Sequence, residues 1–206
     1  MIPYFIYGIT FAFAAAVQPG PLQTYIISQT LKKGWRSTLP AAVAPVISDV
    51  PILLLILFLL STVPDNFIII LRIGGGLFLL YLGISAFLSW KKYDAEESTS
   101  GDSGHQTLFK AVVVNVLNPA PYLAWSLILG PLFLEGWKAA PVNGMALIFG
   151  FYITMVITLA GIIILFAFAR KLGPTVSKTL IGLSAIVLFA FGIYQLGLGI
   201  HYYVRG

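Results

Sequence analysis

Six of the seven acidic residues in this chain (Asp65, Asp94, Glu96, Glu97, Asp102 and Glu135) fall in or beside polar and turn-rich stretches. The seventh, Asp49, falls inside an apolar run, between Pro45 and Pro51. An ionisable group within hydrocarbon costs at least about 2.5 to 3.5 kcal/mol on insertion scales, so Asp49 is expected to face a cavity in the protein and to have a partner there. Ionised, it can hold an ammonium group. Protonated, it is neutral and releases that group, which is one way to couple the movement of a solute to a proton gradient. The alternative is a structural acid bonded to Ser48, Thr24 or a freed backbone amide.

Two doubled prolines are the second feature with chemical content. Gln18-Pro19-Gly20-Pro21 near the start is echoed by Asn118-Pro119-Ala120-Pro121 in the second half of the chain. Proline has no amide hydrogen and excludes the carbonyl four residues earlier, so a continuous helix is not expected through either motif. Broken backbone at membrane depth is tolerated only where protein or a water-filled cavity covers it. Each break should open a new half-helix, from about Leu22 and Tyr122 onward, whose first amides lack partners and carry the positive end of a dipole. Two such ends near one midplane site would suit a carboxylate. Gln18, Pro19, Gly20, Pro21, Asp49, Asn115, Asn118, Pro119 and Tyr122 form the candidate substrate-binding set, with Asp49 also the candidate proton-coupling group. For Gln18, Gln23, Thr24, Asn115, Asn118, Tyr122 and Trp125, capping the freed backbone groups is at least as good a reading, because unpaired polar groups in hydrocarbon are expensive.

Other chemistries have little to build on. The chain has no cysteine, which removes disulfides, thiolate metal sites and electron transfer through paired thiols. His105 and His201 are far apart in sequence and have no neighbouring acids, so no metal site is expected. There is no serine–lysine dyad, zinc motif or pair of in-span aspartates for membrane proteolysis. The expectation is a protein that is not an enzyme and has no cofactor.

The elements that must position these residues follow from composition. At 206 residues, 59% hydrophobic and 9% charged, with mean hydropathy +0.95, the chain has more apolar surface than a soluble domain of this size can bury. A span needs about 20 mostly apolar residues. Polar and turn-rich clusters divide the sequence into six such stretches, near 3–31, 38–62, 67–90, 108–134, 141–169 and 176–202. The first has no basic flank or cleavage site and is read as a transmembrane helix, not a signal peptide. Gly8, Ala12, Ala16 and Gly20 give it a small-residue face, expected to pack against another helix. Trp35, Trp90, Trp137, Tyr202 and Tyr203 stand near span ends as an aromatic belt.

The net charge of +5 is a topology signal. Lys32, Lys33 and Arg36, then Lys91, Lys92 and Lys110, then Arg170, Lys171 and Lys178 flank alternate connections, leaving Arg72, Lys138 and Arg205 for the other side. The positive-inside rule makes those three connections cytoplasmic and puts both termini outside a plasma (inner) membrane. Nucleic acid is not an expected partner. The polar segment 91–107 reads as a flexible loop between two halves of one membrane domain, about 1–90 and 108–206. Besides the proline motifs, Gly34-Trp35-Arg36 is echoed by Gly136-Trp137-Lys138, and Leu82-Gly83-Ile84 by Phe191-Gly192-Ile193. Each half holds three spans, an odd number, so the second half enters the membrane from the opposite side. The expected fold is therefore an all-α membrane protein of six transmembrane helices in two inverted three-helix repeats, with helices one and four broken at Pro-x-Pro.

The proline motif, the basic Lys32-Lys33-Gly34-Trp35-Arg36 connection, the in-span Asp49 and Gly75-Gly76-Leu77-Phe78-Leu79-Leu80-Tyr81-Leu82-Gly83 resemble the first half of lysine exporter (LysE) and homoserine/threonine-resistance exporters. Asn115-Val116-Leu117-Asn118-Pro119 resembles the start of their second half, although many members have lysine where this chain has Ala120. The resemblance implies a six-helix amino-acid exporter driven by the proton gradient, with the breaks and the in-span acid at its solute site. Its partners would be the lipid bilayer, a small amino-acid-like solute and the proton gradient, with a homo-oligomer as a further option. The competing readings are a metal or inorganic-ion exporter of the same fold and a non-transporting membrane scaffold.

Overall fold

The computed structural model describes residues 1–59, 65–91 and 104–205, and among them there are α-helices and no strand. The first helix, α1 (Ile2–Val17), stops before Gln18-Pro19, and α2 (Pro21–Lys33) restarts at the second proline, turned by 61°. Gly34, at φ 82°, ends α2 in a conformation that favours glycine and turns the chain into α3 (Trp35–Thr38). A tight 3-10 stretch over Leu39–Val43 follows, with Pro40 in its first turn, and leads into α4 (Ala44–Leu59). Next come α5 (Asp65–Lys91) and α6 (Gly104–Val116). After the second break the chain resumes as α7 (Pro119–Ala124), passes through one π-type turn over Trp125–Leu129 and continues as α8 (Gly130–Ala139). The π-type turn sits where Pro131 has no amide to offer the carbonyl four residues back. The last two helices are α9 (Pro141–Lys171) and α10 (Pro174–Arg205).

Four of these stretches are long and apolar enough to cross a bilayer, and the two bent pairs, α1 with α2 and α6 with α7–α8, raise the count to six. The protein is thus a multi-pass, all-helical membrane protein. The expected stretches 67–90, 141–169 and 176–202 each coincide with a single helix to within a few residues. The expected stretch 38–62 is composite, because Pro40 tightens its start. Of the expected loop 91–107, residues 92–103 lie outside the described residues, and 104–107 are the first turn of α6.

One echo in the sequence has no structural counterpart. Gly34 separates two helices, whereas Gly136 is inside α8, where a Cβ would stand 2.8 Å from the Tyr4 ring. A lone Gly-Trp-basic triplet suits a turn or a close helix contact equally well.

Helices in lipid associate by close van der Waals packing, and small residues make that possible. α1 lies against α9, with Gly8 facing the Leu147 carbonyl and Gly150 facing the Phe5 carbonyl. α5 lies against α10, where a Cβ on Gly76 would stand 2.9 Å from Gly192 O and one on Gly192 would stand 3.1 Å from Gly76 O. α4 packs on α6, and α2 runs between α6, α9 and α10. Gly8, Ala12 and Ala16 are buried on the α9-facing side as expected, while Gly20 lies in the break. Tyr25, Ile26, Trp125, Leu129, Leu147 and Leu159 fill the centre.

Candidate functional site

Each break interrupts the backbone hydrogen-bond ladder, and nearby side chains bond to carbonyls and an amide at or beside it. At the first, Gln23 Nε2 reaches back to donate to Ala15 O (3.0 Å), the carbonyl that Pro19 cannot serve. Thr24 Oγ1 donates to Gly20 O (2.8 Å). At the second, Tyr122 Oη donates to Val116 O (2.9 Å), and Asn118 Oδ1 accepts from Ala120 N (3.1 Å). Leu117 O, which Pro121 cannot serve, is approached by α5 at Gly75, where no Cβ intervenes.

The two new helix ends differ, and this corrects the expectation of matched amide sites. α7 begins at Pro119, three residues before Tyr122. Its first and third positions are prolines without an amide hydrogen, and the amide between them is taken by Asn118. No amide of its first three positions is left for a ligand. α2 has Gly20 at its N-cap with no side-chain cap, and its first turn-closing bond is from Thr24 N to Gly20 O. Among the described residues, no acceptor meets the amides of Leu22 and Gln23. The positive end of a dipole with free donors therefore exists at the first break alone.

Between the breaks lies a cavity of about 480 Å³, within the range usual for small-molecule sites. Gln18, Pro19, Gly20 and Pro21 line it from the first break, Asn118, Ala120 and Pro121 from the second, and Asp49 and Asn115 from α4 and α6. Of the candidate set, Pro119 and Tyr122 are not on its wall. Tyr122 is buried with its hydroxyl committed to Val116, so it closes the break and does not face the cavity.

Asp49 is 3% exposed. Its Oδ1 accepts from Asn115 Nδ2 (2.9 Å) and, at longer range, from Ser48 Oγ (3.4 Å), while Oδ2 accepts from Trp125 Nε1 (3.4 Å). Asn115 Nδ2 also reaches Ser48 Oγ at 2.7 Å, and Ser48 can donate to the Ala44 carbonyl at 2.9 Å. All of these donors are neutral. Among the described residues no lysine, arginine or histidine pairs with the carboxylate. The cluster comes from three separate elements: α4 supplies Ser48 and Asp49, α6 supplies Asn115, and the π-type turn supplies Trp125.

Sequence reasoning did not find the far wall. Phe151 and Met155 of α9 and Phe191, Tyr194 and Gln195 of α10 line the same cavity. The Tyr152 ring stacks on Trp125 (6.3 Å between centroids), and its buried hydroxyl lies beside Asp49 but outside hydrogen-bond geometry, without a partner. Gln195 did carry a signal, as the one amide side chain in α10, but nothing in the sequence told which helix it would meet.

A model of the LysE type translocator family matches residues 13–198, most of the chain. No curated protein and no solved structure matches it.

Proposed function

We propose, because the chain belongs to the LysE type translocator family, that this protein is a secondary exporter of amino acids or closely related small zwitterions across the inner membrane. The family is one of transporters and not of enzymes, and membership makes export the general activity. The observation that carries this proposal is the cavity of about 480 Å³ in which both helix breaks and a buried, cation-free carboxylate meet.

The two ends of a zwitterion have complementary places there. Its ammonium group meets Asp49, which is hydrogen-bonded by neutral donors and, among the described residues, has no cation paired with it. Its carboxylate meets the free amides of Leu22 and Gln23 at the positive end of α2. Apolar walls from Phe11, Phe151, Met155 and Phe191 surround a modest side chain. Protonation of Asp49 removes the negative charge that holds the ammonium, which links release of solute to uptake of a proton. Gln18, Pro19, Gly20, Pro21, Asn115 and Asn118 shape the pocket, while Pro119 and Tyr122 maintain the break.

Alternating access by two inverted repeats, 1–90 and 108–206, is supported by how the spans pair. The first span packs on the fifth, the second on the fourth and the third on the sixth. Exchanging one triplet of spans for the other maps this pattern onto itself, as an inverted repeat requires.

The test is counterflow of a panel of radiolabelled amino acids through proteoliposomes, with and without an imposed pH gradient. Accelerated exchange of at least one amino acid, enhanced by the gradient and lost in Asp49→Asn, is the expected result. Unaltered flux in a normally inserted Asp49→Asn protein removes Asp49 from the mechanism. Flux of a metal cation without any amino acid, or of nothing, overturns the reading.

A further inference from the structure

Arg72 is a cation in a position that topology alone does not explain. It lies in α5, two turns in from Asp65, at the first residue of the apolar stretch Arg72–Lys91. Its Nη1 donates to Gln195 Oε1 of α10 (3.1 Å), and its guanidinium carbon lies 5.5 Å from the centre of the Tyr202 ring. Its Nε is buried and has no partner. Neither Asp49 nor Glu135, the carboxylates whose side chains are described, pairs with it. Among the described residues, the guanidinium is held by one neutral amide and a ring, with a buried donor idle and no anion to satisfy it.

Gln195 connects this cation to the cavity. It is 7% exposed and lines the cavity, and a small cleft beside it is bounded by Pro21 and Asn118, one residue from each break. The amide that holds Arg72 is thus next to the start of α2, where Leu22 and Gln23 have free amides. With Nη1 engaged by Gln195, the remaining guanidinium edge, Nε with Nη2, is the one that receives a carboxylate through two parallel bonds. A helix end offers only about half an elementary charge, whereas Arg72 offers a whole one.

We propose that Arg72, presented through Gln195, is the specificity residue that reads the solute's carboxylate, so that the site selects amino acids over the amines that lack that group. Gln195 keeps Nη1 in place, and an arriving carboxylate engages the other edge through Nε and Nη2. Asp49 and Arg72 then hold the opposite charges of one zwitterion. This inference rests on the proposed solute site and adds a residue and a selectivity to it.

The test is equilibrium binding to the full chain in nanodiscs, using three pairs of labelled probes: L-leucine and isopentylamine, L-lysine and cadaverine, L-threonine and 1-amino-2-propanol. The unaltered protein is expected to favour the amino acid of at least one pair by about tenfold to a hundredfold, the worth of a charge-assisted hydrogen-bonded pair. Arg72→Gln should abolish that preference by weakening the amino acid and leaving the amine unchanged. Arg72→Lys, which keeps the charge but not the fork, should retain part of it, and Gln195→Glu, which gives Arg72 a permanent carboxylate, should weaken amino acids selectively. Equal loss of both probes in Arg72→Gln, or a preference unchanged by it, overturns the inference. If preference survives Arg72→Gln while Asp49→Asn abolishes binding of both, the solute site stands and Arg72 is structural. If the unaltered protein binds no probe, both readings fall.

Discussion

Exchanging Asp49 and Asn115 is the sharpest probe of the site. Their side chains come from helices far apart in sequence, and Asp49 Oδ1 lies 2.9 Å from Asn115 Nδ2. Asp49→Asn removes the charge while keeping shape and an acceptor, so the fold should hold. If solute binding uses the ammonium–carboxylate pair, it should lose about 1.5 to 3 kcal/mol, roughly tenfold to more than a hundredfold. Asn115→Asp alone would set two carboxylate oxygens about 2.9 Å apart, a repulsion of about 6 kcal/mol at an effective dielectric of 20. Such a pair holds one proton between its members and keeps a single negative charge, so partial function is expected. The double exchange restores one carboxylate within hydrogen-bond distance of the original. Counterflow in proteoliposomes, normalised to inserted protein, should place Asp49→Asn lowest and the double exchange within about tenfold of the unaltered chain, the residual loss reflecting one altered hydrogen bond. A double exchange that inserts normally yet is as inactive as Asp49→Asn would refute the idea that charge within this cluster, and not a contact unique to position 49, binds the solute.

Two further substitutions separate architecture from chemistry. Tyr122→Phe leaves the Val116 carbonyl without its hydroxyl donor, which costs about 1 to 3 kcal/mol; the melting temperature in detergent should fall while solute affinity stays unchanged, and an affinity loss without a stability loss would return Tyr122 to the binding site. Gly76→Leu places its Cβ about 2.9 Å from Gly192 O, so α5 and α10 must separate; a lower melting temperature and reduced Arg72-dependent selectivity are expected, and a protein as stable as the parent would show that this contact is loose.

Much of the architecture was legible because its causes are local. A proline breaks its own helix, so the stops at Val17 and Val116 follow from Pro19 and Pro119. Twenty apolar residues make a span wherever they occur, and a lone acid among them must face inward, as Asp49 does. Even the cap at Ala120 belongs to the sequence pattern Asn-Pro-x, once a helix is known to start there.

What the sequence could not settle is which residues meet across helices. Asn115, Ser48 and Trp125 reach Asp49 only because α4, α6 and the π-type turn converge, and Gln195 reaches Arg72 only because α5 and α10 touch at Gly76 and Gly192. The free amides at the start of α2 were likewise hidden, since whether another part of the chain meets them depends on how the helices pack. Local backbone chemistry depends on neighbours along the chain and can be read from their order. A polar pocket in lipid depends on the depth and rotation at which apolar helices lock together, and close packing in three dimensions decides that.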